Sequence, residues 1–247
     1  MGSNSPRMTA RAQRPATADT PQPRAAYHHG NLREALVQAA IELIERDGLD
    51  KLSVREAAKR AGVSPGAPFR HFATKTALLT AVAEQATERL RSHVEQALAA
   101  AADAPALVRF GAIGHAYIEW ARKNPTHFRV ISERALIDYD SSASLRSDNE
   151  SIRMRMQALF DEAFAHGGSA ASAADAAHAQ IAARALVYGL ARMAVDGHFP
   201  EWSLARESTA KTMAGTLDFF MSLLTAAAPA SDAPAASKKA GRPPAKR

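Results

Sequence analysis

Arg70 stands near the end of the stretch Gly62-Val63-Ser64-Pro65-Gly66-Ala67-Pro68-Phe69-Arg70-His71-Phe72, and its planar guanidinium suits a guanine edge or a phosphate. Just before it, Gly66 and Ala67 carry almost no side chain. A backbone that bare can approach a base or phosphate closely, and a helix N-terminus itself attracts phosphate. Lys75, at the start of the next helix, adds a point charge. These residues point to nucleic-acid contact, and the residue types that would carry other chemistry are missing or badly spaced. The absence of cysteine removes thiolate metal sites, cysteine nucleophiles and disulfides together. There is no glycine-rich phosphate loop and no serine, histidine and acid at a workable spacing. His115 and Glu119 share one side of a helix with no third ligand near, and His28-His29 sit beside Gly30 at a helix start, so neither a metal nor a cofactor is expected.

Such residues need elements to hold them. From Asn31 the apolar residues Leu36, Val37, Ala40, Ile41, Leu43 and Ile44 recur at helical spacing, and Asp47-Gly48 ends the pattern. Ser53-Val54-Arg55-Glu56 fits a capping box, opening a helix that ends at Gly62. Ser64 is then a good N-cap, which puts Pro65 at the first helical position, where no amide bond is lost. Pro68 falls at the fourth position, removes the first intrahelical hydrogen bond and forces a tight, partly 3₁₀ first turn. Phe72 is expected to fasten this piece to its neighbours. Residues 53–72 thus read as a helix-turn-helix whose second member presents its N-terminal end to the major groove.

Behind it, Thr74 precedes a long helix over 75–101. A helix after Pro105 places Phe110, Ile113, Tyr117 and Trp120 on one face until Asn124-Pro125 stops it. A short helix near 125–135 follows, and the polar run DYDSSASLRSDN reads as a mobile loop. Helices over 150–165, 173–195 and 204–226 complete about nine, with His166-Gly167-Gly168 closing the first of these. No period-two alternation or repeat is found, so the fold class is all-α. The last two helices are apolar on both sides, and a surplus apolar face suggests a homodimer. On the first of them Ile181, Ala185, Tyr188 and Gly189 occupy one side. The dimer stripe is assigned to Leu186, Leu190 and Met193 on the other, and to Met213, Leu217, Phe220 and Leu224 on the final helix, with Phe219 and Leu223 beside it.

The net charge of +6 resides mostly in the ends. Arg7, Arg11, Arg14 and Arg24 face only Asp19 in residues 1–25, and the end Lys238-Lys239-Ala240-Gly241-Arg242-Pro243-Pro244-Ala245-Lys246-Arg247 is densely basic. Bulk charge is therefore poor evidence for DNA binding. The useful asymmetry is a mildly positive front against a mildly negative remainder. Both ends read as disordered basic tails; the second is similar to an AT-hook, with Ala240 where the hook has arginine. No apolar run is long enough to span a bilayer and the first residues lack a signal-peptide core, so a cytoplasmic protein with no membrane partner is expected.

The run LREALVQAAIELIERDGLDKLSVREAAKRAGVSPGAPFRHFATKTALLTAVAE, residues 32–84, resembles the tetracycline-repressor (TetR) family of bacterial transcriptional regulators. Tyr27-His28-His29-Gly30-Asn31-Leu32-Arg33, and Tyr188-Gly189-Leu190-Ala191 with Asp196-Gly197, look like a branch with a tryptophan-histidine-glycine-type C-terminal domain. The resemblance implies a DNA-binding domain over 26–84 and an effector-binding and dimerisation domain over 85–226, flanked by the tails 1–25 and 227–247. It implies a ligand-responsive dimer, most simply a repressor, that binds a palindromic operator in double-stranded DNA and is released by a small-molecule effector. Ser53, Arg55, Ser64, Gly66, Ala67, Phe69, Arg70, His71 and Lys75 fall where the family contacts DNA. Phe69 departs from the family's tyrosine and cannot make that residue's phosphate bond; Pro68 replaces a more ordinary apolar residue.

Phe110, Tyr117, Trp120, Phe128, Met156, Phe160 and Tyr188 can line an apolar effector pocket with Tyr117 as polar handle, or they can be ordinary core. Arg192 and Asp196 are spaced for an ion pair within one helix. Two other readings remain at this stage: a non-specific nucleoid-type DNA binder driven by the tails, and an all-α enzyme that carries a helix-turn-helix.

Overall fold

A computed structural model of the chain describes residues 32–164, 173–202 and 208–227. The expectations for the tail 1–25, for Tyr27 to Asn31, for His166-Gly167-Gly168, for the stretch from Leu204 and for the tail beyond 227 lie outside the described residues. Among those described, regular structure is entirely helical. Eight α-helices run in order: α1 Leu32–Asp47, α2 Val54–Arg60, α3 Lys75–Ala100, α4 Ala106–Lys123, α5 Pro125–Ser132, α6 Ala143–Phe164, α7 Ala173–Asp196 and α8 Thr209–Ala227. Short 3₁₀ turns intervene, notably Ala67–Arg70 between α2 and α3.

Two apolar cores divide the molecule, and α3 belongs to both. Its first turns, from Leu78 to Ala83, pack with Leu36, Ile41 and Ile44 of α1, Val54 and Ala57 of α2, and Phe72. Its later turns, from Ala86 to Val94, pack with Phe110, Tyr117 and Trp120 of α4, Phe160 of α6, Val187 of α7 and Met213 of α8. At about 1.5 Å per residue, the 26-residue α3 spans about 39 Å between them.

The polar run 138–149 is not a mobile loop. α6 begins at Ala143, seven residues before the expected start, and the segment ahead of it is tied to α3. The Asp138 amide donates to Thr80 Oγ1 at 2.9 Å, and Ser142 Oγ donates to Glu84 at 2.8 Å. Ser142 Oγ accepts from the Leu145 amide, opening the helix, and Asp148 pairs with Arg91 at 2.8 Å. Leu145 is fully buried in the first core. Sequestering one leucine stabilises by about 1.5–3 kcal/mol, which outweighs the weak turn preference of its serine and aspartate neighbours.

Candidate DNA face and effector cavity

α2 is capped as its sequence requires: Ser53 Oγ accepts from the Glu56 amide at 3.1 Å. Its far end closes with the Val63 amide donating to Ala58 O at 3.0 Å and the Gly62 amide to Lys59 O at 3.1 Å. This pattern needs a left-handed residue, and Gly62, at φ 70°, supplies it. The following piece differs from expectation. Ser64 does not cap a helix that starts at Pro65. The Ala67 amide donates back to Ser64 O at 3.1 Å, so Pro65 and Gly66 are the middle of a turn, and a single 3₁₀ stretch begins at Ala67. Pro65, with φ preset, suits the second position of that turn.

Pro68 then sits early in the 3₁₀ stretch, where its missing amide costs nothing, and its ring is fully buried. Its carbonyl accepts from both His71 and Phe72, at 2.9 and 2.8 Å. Pro68 and Phe72 therefore form the buried underside of the segment, and its outer side is left to solvent. Ser64, Gly66, Phe69, Arg70 and His71 are exposed there, with Arg55 exposed on α2. Phe69 is an apolar ring 44% exposed, with no packing role that accounts for it. Ser53 and Ala67 are half-buried. Lys75 is also half-buried, and its ammonium reaches back to Leu49 O at 2.7 Å and Asp50 O at 3.3 Å, stitching α3 to the turn after α1. Two of its donors are thus engaged within the chain.

Glu84 marks where this face is wired to the rest. It accepts from Arg33 of α1 at 3.1 Å and from Ser142 Oγ at 2.8 Å, so one carboxylate on α3 holds α1 and the start of α6.

Behind the clasp, α3, α4, α6, α7 and α8 enclose a cavity of about 480 Å³, within the range of small-molecule sites. Phe110, Tyr117 and Met156 line it. Trp120, Phe128 and Phe160 do not. They are core residues in the layer behind: Phe160 meets Phe110 edge-on at 5.8 Å between centroids, and Phe128 meets Tyr117 at 6.3 Å. Tyr188 lines a second chamber of about 260 Å³, which shares Leu90, Tyr117, Asn149 and Arg184 with the first. Burial raises the Tyr117 phenol above its usual pKa, with Arg184 partly opposing, so the ring stays neutral. Sequence reasoning missed the polar lining, Arg184, Asn149, Gln157 and Gln180. These residues carry no motif, and only their helical register against α4 places them.

The expected dimer stripe needs correction. Leu190, Met213 and Leu217 are buried in the chain's own core, Leu217 against Gly114 of α4, while Leu186, Phe220 and Leu224 are half-buried and pack against that core, and Met193 is half-buried. A helix apolar all round does not reveal which stripe faces inward, and here the other one is free. Phe219 and Leu223 of α8 are 66% and 53% exposed, and Ile181 of α7 is 66% exposed. Gly189 and Gly215 open to space that a side chain could fill.

Elsewhere, Arg192 and Asp196 pair at 2.6 Å, as their spacing suggests. His115 pairs with Asp218 at 2.8 Å and Glu119 with Lys123 at 2.5 Å. Among the described residues no helix is long and apolar enough to cross a membrane, and no three acidic or histidine side chains gather as a metal site.

Two family models match the chain: bacterial regulatory proteins, tetR family, over residues 36–82, and tetracyclin repressor-like, C-terminal domain, over residues 110–217. A protein of unknown function from Rhodococcus sp. RHA1 superposes with a TM-score of 0.63 at 28% identity, covering 81% of this chain and 98% of that one. A tetR-family regulatory protein from Rhodococcus RHA1 shares the fold, with a TM-score of 0.59, 23% identity and coverage of 77% and 95%. The nucleoid occlusion factor SlmA of Vibrio cholerae is 29% identical over 132 residues, 53% of this chain and 62% of that protein. SlmA of Marinobacter nauticus is 30% identical over 125 residues, 51% and 63%. The chain thus spans about three fifths of the length of these curated relatives. With the helix-turn-helix matched by one model and the helical domain behind it by the other, the chain belongs to the tetR family of bacterial regulatory proteins.

Proposed function

We propose that the chain binds a palindromic operator as a homodimer in the cytoplasm, represses the gene it covers, catalyses no reaction, and is released when a small molecule enters the cavity between α3, α4, α6, α7 and α8. The observation that carries this reading is the face formed by Gly66, Phe69, Arg70 and His71: small or contact-forming side chains exposed over a base, Pro68 and Phe72, that is buried. Ser53 caps α2 and Ser64 opens the turn before the 3₁₀ stretch, both on the side offered to the groove, Arg55 and Arg70 supply guanidinium forks, Gly66 and Ala67 allow close approach, and Lys75 keeps one donor for a phosphate. Two such faces engage successive major grooves only if the dimer holds them about 34 Å apart. The free stripe of Ile181, Ala185 and Gly189 on α7 with Phe219 and Leu223 on α8 is the surface that fits a second copy.

Release is a linkage effect. The cavity and the DNA face share α3, and the Glu84 clasp sits between them. An effector that favours a wrongly spaced dimer by tenfold supplies about 1.4 kcal/mol of coupling, ordinary for such switches. Footprinting on the DNA flanking the chain's own gene, with excess competitor DNA, tests the reading. A protected palindrome supports it, while uniform protection would favour a nucleoid-type binder, the reading that the basic ends suggest and the SlmA relatives' name weakly supports.

A further inference from the structure

The polar groups that line the larger chamber are mostly committed to one another. Gln180 donates to Gln157 at 2.8 Å, Gln157 donates to Asp161 at 2.7 Å, Asn149 donates to Leu145 O at 2.8 Å, and Arg153 is paired with Glu150 at 2.5 Å. Apart from Tyr117 and Arg184, which border both chambers, the principal remaining lining is apolar: Leu90, Val94, Phe110, Ile113, Met156 and Leu217. The smaller chamber is different. Ser132 Oγ is shielded from solvent there with no hydrogen-bond partner. Two arginines border it, and among the described residues neither has a carboxylate within ion-pair distance. Arg134 lies over the Tyr139 ring at 3.0 Å, and Arg184 over the Tyr117 ring at 4.6 Å.

Tyrosine faces hold a guanidinium in place without neutralising it. Two such forks and an unpartnered hydroxyl around a small chamber that opens beside a larger apolar one match one kind of molecule. We propose that the effector is an amphipath with an anionic head, carboxylate or phosphate, whose apolar body fills the chamber of about 480 Å³ and whose head lies between Arg134 and Arg184 in the chamber of about 260 Å³. This rests on the reading of the cavity as the effector site. It also gives the head a route to the DNA face. Ser132 and Arg134 directly precede the Asp138–Ser142 stretch that is bonded to Thr80 and Glu84 of α3.

The test is a thermal-shift and operator-release series with straight-chain carboxylates of graded length, alkyl phosphates, and the matched alcohols and trimethylammonium compounds. At the best length the anion should bind at least about tenfold more tightly than the alcohol or the ammonium, a difference of about 1.4 kcal/mol. Whichever of carboxylate and phosphate binds more tightly identifies the head. Arg184→Ala, and independently Arg134→Ala, should bring the anion-to-alcohol ratio to about one while the far-ultraviolet spectrum and ligand-free operator binding are kept. Equal binding of neutral and anionic chains, binding of none of them, or a preference that survives both substitutions overturns the proposal. Loss of specific operator retention by the ligand-free wild-type protein overturns the parent reading instead.

Discussion

At the scale of single residues, Pro68 and Phe69 divide the recognition segment between inside and outside. Pro68 is fully buried and lacks an amide, so Pro68→Ala both opens a small void and frees a donor that could draw the 3₁₀ turn toward an α-helix. We expect a loss of about 1 kcal/mol, seen as a lowered melting temperature, together with weakened operator binding. Phe69 is exposed and touches no polar partner, so Phe69→Tyr adds a hydroxyl where a phosphate would pass. Operator affinity should rise by a few-fold, the worth of about one net hydrogen bond of 0.5–1.5 kcal/mol, with melting unchanged; titration by fluorescence anisotropy measures it. An unaltered affinity would show that the Phe69 ring edge does not face the DNA backbone.

At the scale of elements, the segment from Asp138 to Asn149 shows why part of the site was hidden. Its serines and aspartates are turn formers, and reading them locally yields a loop; the decisive contacts, Thr80, Glu84 and Arg91, lie some sixty residues earlier on α3. By contrast α1, α2 and the start of α3 were legible because their caps and apolar spacing are local: Ser53, Gly62 and Thr74 do what their residue types require. The pocket aromatics were half legible, since Phe110 and Tyr117 share a face with Trp120 but only the packing of α6 and α7 decides which of them borders space. Glu84→Ala cuts the clasp. Because the pair with Arg33 is partly exposed, stability should fall by no more than about 1 kcal/mol, yet the effector should lose much of its power to release DNA. His127 of α5 is buried with Nε2 unpartnered, and burial, aided by Arg89, lowers its pKa. The unfolded chain therefore takes up a proton first, so this residue's share of stability is whole above about pH 6.5 and falls as pH drops below it. His127→Gln should flatten that part of the melting-temperature profile. Exposed His198, raised by Glu201, acts in the opposite sense and is untouched by that change.

At the scale of the whole molecule, the proposed operator binding needs two copies of one face held at a fixed separation. The apolar all-round character of α7 and α8 suggests a partner from the sequence but not the stripe it would cover, because Leu217 and Met213 are as apolar as Phe219 and Leu223, and only Gly114 of α4 tells them apart. A Cβ at Gly114 would stand 2.8 Å from Leu217, so this close approach of α4 and α8 draws the Leu217 stripe inward. Phe219→Glu places a charge on the free stripe and should yield a monomer by sedimentation, with operator affinity falling by more than about tenfold while each copy remains folded. Whether Arg70 grips the operator is read by footprinting the Arg70→Ala protein beside the wild type, with helicity and melting followed in parallel. The protected palindrome should disappear while fold and dimer persist. A footprint of undiminished strength from Arg70→Ala would contradict it.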